Sequence, residues 1–99
     1  MANADYLMRR FTKDPSMVSR NVAGECILVP IRHRIEEVAG IYTLNEVGAH
    51  IWGLIDGKKS VAELRDAVIA EFDVTAAQAE EDLVTFLTEL QQIQAIAEN

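Results

Sequence analysis

Two hydrophobic rhythms divide this chain at Asn45. Before it, apolar residues gather in short, often β-branched runs bounded by glycine and proline. After it they recur at Val47, Ile51, Leu54 and Ile55, the spacing of one helical face. The Asn45 side chain is suited to accept a bond from an orphan amide of the first helical turn, so a strand ending at Leu44 is predicted to pass directly into a helix. On the strand side, Met17 to Val22 alternates with Val18 and Val22 on one face and Arg20 between them. Ala23-Gly24 offers a turn. Cys26-Ile27-Leu28-Val29-Pro30-Ile31 is a continuous apolar run suited to a central strand, with Pro30 marking its end or a bulge. Arg32 to Gly40 lacks tight-turn chemistry and predicts a longer, mobile loop before a third strand, Ile41 to Leu44.

Three helices are predicted to follow. The first runs from Glu46 to Ile55 and is closed by Asp56-Gly57. Gly48 and Gly53 inside it each cost about 1 kcal/mol relative to alanine, which suggests the close passage of another backbone. The second opens on the capping box Ser60-Val61-Ala62-Glu63 and carries the stripe Val61, Leu64, Val68 and Phe72. Thr75-Ala76-Ala77-Gln78 repeats the capping pattern ahead of a third, longer helix on Ala79, Leu83, Phe86, Leu90 and Ile93. Gln94 to Asn99 reads as a fraying helix end or a short final strand. Strands first and helices afterwards imply an α+β fold: a three-stranded antiparallel sheet followed by three helices, winged-helix-like in outline. Residues 1–16, with mixed charge and scattered apolar positions, read as a flexible N-terminal arm, and residues 17–96 as one domain.

Charge narrows the possible partners. The net charge of −7 is unevenly spread: Met1 to Gly40 holds six Lys/Arg against five Asp/Glu, and Ile41 to Asn99 three against eleven. An acidic helical half opposes phosphate backbones and anionic membrane surfaces. No stretch approaches the roughly 20 apolar residues of a membrane span, and a cytoplasmic protein is the simplest expectation. The lone Cys26 sits among Ile27, Leu28 and Val29 as a small buried hydrophobe. His33 and His50 fall in no zinc spacing, and His50 borders the apolar stripe of the first helix as a packed histidine. Glu36-Glu37 and Glu80-Glu81-Asp82 are solvated charge runs. No phosphate loop, nucleophile–base pair or cofactor motif is present, so neither enzyme activity nor a cofactor is expected.

The third helix carries the strongest candidate surface. Beyond its core stripe, Val84 and Leu87 widen the apolar surface on one shoulder towards Gln91, while Gln78, Asp82, Thr85 and Glu89 keep the other polar. That widening predicts either a second contact beyond the core or cover for the edge of the second helix. Trp52 and Tyr42 are each open to a core or a partner-anchoring role.

The segment Tyr42-Thr43-Leu44-Asn45-Glu46-Val47-Gly48 with Ile51-Trp52 resembles the PqqD family. So do Leu54-Ile55-Asp56-Gly57, the box from Ser60 to Leu64, Glu81-Asp82 and the Phe86-Leu87-Leu90 pattern. The resemblance runs from about Val18 to Ile96. It implies a non-catalytic domain that binds the leader of a ribosomally made precursor peptide and presents it to a modifying enzyme, commonly a radical S-adenosylmethionine (radical SAM) protein. In that family the leader pairs as an added strand on the third strand and lies against the third helix. The residues expected to carry this are Ile41, Tyr42 and Thr43 on the strand side and Leu83, Val84, Leu87 and Gln91 on the helix side. Two departures stand out: a longer Arg32–Gly40 loop, and Gln94 where a glycine commonly begins the final strand. The competing reading is a winged-helix DNA-binding domain. It is disfavoured because Ala76 to Gln92 has no Lys or Arg and carries four carboxylates.

Overall fold

In a computed structural model, residues 4–30 and 42–99 are described. Their elements, in order, are α1 (Ala4–Leu7), β1 (Phe11–Lys13), β2 (Met17–Val22), β3 (Glu25–Pro30), β4 (Tyr42–Leu44), α2 (Glu46–Leu54), α3 (Val61–Glu71), α4 (Ala76–Gln92) and β5 (Ile96–Glu98). The Arg32–Gly40 loop and Ile41 lie outside the described residues.

The α+β architecture is as the sequence predicts. β2, β3 and β4 form a three-stranded antiparallel sheet in that order. The rows Ser19–Leu28–Tyr42 and Asn21–Cys26–Leu44 share its core-facing side, because side chains alternate along each strand. The row Arg20–Ile27–Thr43 faces away, and so do Val18 and Val22; Val22 is 52% exposed. Val18 and Val22 therefore do share a face with Arg20, and it is the outer one. The two-residue turn has positive φ at both Ala23 and Gly24, matching the strand twist of a tight hairpin.

Local sequence accounts for the helix starts. Asn45 Oδ1 accepts from Gly48 N at 2.7 Å. Ser60 and Glu63 form a reciprocal box at 3.2 and 2.8 Å. Thr75 Oγ1 accepts from Gln78 N at 3.1 Å, but the Gln78 amide turns to Asp82 Oδ1 at 2.8 Å, so this second box is half made. After α2, Asp56 takes the amides of Lys58 and Lys59, which holds its carboxyl well below the usual carboxylate range. The core is built from Leu28 and Leu44 of the sheet, Ile51 and Trp52 of α2, Leu64 and Val68 of α3, and Leu83, Leu87 and Leu90 of α4. Trp52 is a core residue with Lys13 Nζ 5.2 Å from its ring, and the His50 ring meets Phe72 edge-on at 5.5 Å.

The expected N-terminal arm needs correction. Phe11 is 1% exposed, and β1 pairs antiparallel with β5, Phe11 opposite Glu98 and Lys13 opposite Ile96. Phe11 O accepts from Gly57 N at 2.8 Å, and Arg9 O from Val61 N at 2.9 Å. Residues 9–13 are thus laced to both the α2–α3 connection and the C-terminus. Their sequence gives no run long enough to signal this, because a single buried phenylalanine anchors the segment.

Of the two readings for the C-terminus, the short strand is the one formed. The turn into it is a complete Schellman motif: Gln94 N donates to Gln91 O at 3.0 Å, and Ala95 N to Leu90 O at 2.8 Å. Gln94 sits at φ 60°, where a Cβ is strained. Gln94→Gly should therefore raise unfolding stability by about 0.5–1 kcal/mol, read as a higher urea midpoint with unchanged slope.

Candidate functional site

Among the described residues β4 pairs with β3 on one side only, and its other edge borders a groove of about 350 Å³. Tyr42, Thr43 and Leu44 form the strand wall. Asn45, Val47, Gly48 and Ile51 form the floor, and Asp82, Thr85, Phe86 and Glu89 of α4 form the opposite wall. The direct passage from strand to helix at Asn45 creates this corner: a strand that enters a helix without a loop leaves its free edge beside the helix's first turns. Among the described residues, β4 presents alternate backbone amides and carbonyls there with no partner strand, the arrangement that accepts an added strand.

Gly48 keeps the floor low. A Cβ built on it would lie 3.2 Å from Phe86 Cε1 and 3.2 Å from Asn45 Oδ1, closer than most real contacts. The approaching group is an aromatic side chain, and a Cβ on Gly53 has nothing within 4 Å among the described residues, so no backbone of the described residues makes the expected crossing at either glycine. Across one part of the groove, the Tyr42 hydroxyl donates to Glu89 Oε1 at 2.5 Å. Burial, with the hydrogen bond and negative charge of Glu89, pushes the Tyr42 phenol up to about 12.

Of the residues expected on the strand side, Tyr42 and Thr43 stand in the groove wall, and Ile41 lies outside the described residues. On the helix side the expectation is corrected. Leu83 and Leu87 are 0% exposed and belong to the core, while Val84 and Gln91 lie outside the lining. The Glu80 side of α4 turns towards α3, where Arg65 bridges Glu80 at 3.4 Å. The apolar widening is therefore internal packing, the second of its two sequence readings. The shoulder that meets β4 is the polar one, Asp82-Thr85-Glu89, with Phe86 beside it. The available signal was Phe86, an aromatic one step from that polar line, but its spacing alone places it equally well in the core.

The family model described as Coenzyme PQQ synthesis protein D (PqqD) matches residues 25–96, which include both walls of the groove. The chain belongs to the PqqD family. Two solved structures resemble this PqqD-family chain. One, TbiB1 in complex with the TbiA(beta) leader peptide, is 27% identical, with a TM-score of 0.69 and coverage of 86% of this chain and 93% of that one. The other, a lasso peptide synthetase B1 complexed with the leader peptide, is 19% identical at a TM-score of 0.72 and supports the fold alone. It covers 89% of this chain and 98% of that one. No curated protein sequence matches significantly. Among the described residues of the PqqD-family chain, no group of three or more His, Cys, Asp or Glu is placed to hold a metal, and no helix is long and apolar enough to cross a membrane.

Proposed function

We propose that this PqqD-family chain is a non-catalytic recognition element that binds the leader of a precursor peptide in the cytoplasm and presents it to a modifying enzyme. The leader adds as an extended strand to the free edge of β4, and alternate side chains enter the groove towards Val47, Ile51 and Phe86. Main-chain bonds supply register and the groove supplies selectivity. The observation that carries the reading is the β4 edge, without a partner strand among the described residues, lying directly on the groove. The 27%-identical TbiB1, whose structure holds a leader peptide, supports it. The family resemblance favours a radical SAM protein as the enzyme served.

The test is a titration of isotope-labelled protein with a synthetic leader-like segment, an extended peptide with apolar residues at alternate positions. Amide signals of Tyr42 to Leu44 and of Asp82 to Glu89 are expected to shift together. Thr85→Trp, which adds bulk at an exposed groove position, is expected to weaken binding at least about tenfold without moving the thermal midpoint. Shifts confined to the β2 edge or the outer sheet face would overturn the reading. Shifts at Arg9, Arg10, Lys58 and Lys59 on adding duplex DNA would favour the DNA-binding alternative.

A further inference from the structure

Resting on the peptide-binding reading above, we propose that the groove selects for a cationic side chain, lysine or arginine, in the peptide it holds, and that Asp82 and Glu89 are the specificity-determining residues. Both charged residues of the lining are acidic. They stand seven residues apart on one line of α4, about 10 Å along the helix axis. Each carboxylate has one oxygen held by a neutral donor: Asp82 Oδ1 by the Gln78 amide at 2.8 Å, and Glu89 Oε1 by the Tyr42 hydroxyl at 2.5 Å. These bonds orient the carboxylates without neutralising them. Among the described residues, neither forms an ion pair with a lysine or arginine, whereas Glu80 on the other flank of the same helix is paired with Arg65.

Two carboxylates so far apart do not chelate a metal ion, which requires several oxygens at about 2.0–2.6 Å from one centre. A side-chain ammonium or guanidinium needs only one of them, delivered on a flexible stem that an extended peptide in the groove naturally provides. The stem would lie along Phe86 and Thr85 between the two acids while the charged head reaches the free carboxylate oxygen. The same arrangement repels a guest bearing Asp or Glu at that position, so it discriminates by repulsion as well as attraction. The eight-unit negative excess of Ile41 to Asn99 works in the same direction at longer range, speeding encounter with a basic guest.

The experiment uses the leader-like segment of the titration above, synthesised as three scans in which each residue in turn is lysine, norleucine or glutamate. Affinities are measured for the wild-type protein, Asp82→Asn and Glu89→Gln at low and high salt. At one or two positions the wild type is expected to bind the lysine peptide roughly 3–5-fold better than the norleucine peptide, and the glutamate peptide worse than either. Asp82→Asn or Glu89→Gln is expected to abolish the difference between the lysine and norleucine peptides measured on the same variant, and added salt is expected to shrink that difference in the wild type. Unchanged thermal midpoints establish that both variants are folded. If the peptides bind at β4 with no lysine preference at any position, or with one that survives both substitutions, charge selection is wrong and peptide recognition stands. If no peptide shifts the β4 amides, both fall together.

Discussion

Replacing Phe11 with alanine is expected to destabilise the fold by about 3–5 kcal/mol, a large share of the 5–15 kcal/mol typical of a small domain. The ring is 1% exposed, 6.4 Å from that of Tyr6, and sits in the strand that ties β5 to the body. Its removal leaves a cavity that three short strand residues cannot close by collapsing. The main chain there is also committed, since Phe11 O accepts from Gly57 N and Arg10 O from Asn99 N, each at 2.8 Å. A shift of that size lowers the thermal midpoint by roughly 12 °C or more in a domain of about this length. If residues 9–13 were a loose arm, the same substitution would leave the midpoint within a degree or two.

Leu87→Ala and Val84→Ala separate the two flanks of α4. Leu87 is fully buried, so its truncation should cost about 2–5 kcal/mol, seen as a lower denaturant midpoint at constant slope. Val84 is half-buried at the edge of the same packing, and its truncation should cost about 1 kcal/mol or less. Neither is expected to change the leader affinity of the folded protein, because neither lines the groove beside β4. A Val84→Ala protein of normal stability that binds leader many-fold more weakly would restore the apolar shoulder as a binding surface.

Much of this architecture is legible in the chain because local rules act over a few residues. Asn45, Ser60 and Thr75 each cap a helix by a bond to an amide three positions on, and those contacts do not depend on the rest of the molecule. The β2–β3 hairpin follows from Ala23-Gly24 and the apolar run after it. Gln94 takes the left-handed conformation at the position where the resemblance expects a glycine, so the chain keeps the geometry at the expense of strain. The contributions of Phe11 and of the pair Tyr42 and Glu89, 47 residues apart, are different in kind. They arise between segments distant in sequence, and no periodicity within either segment encodes them.

Where strands turn into helices, how each helix begins, that the sheet precedes the helices, and which family's motifs the chain carries are all readable from the residues alone. Which side of α4 faces β4 is set by the packing of the whole domain. Both shoulders of a helix flank its core stripe equally, and the angle at which the helix settles on the sheet assigns one to the interior and the other to the groove. That choice placed Leu87, beside the core stripe, in the interior and brought Asp82 and Glu89 to the free strand edge.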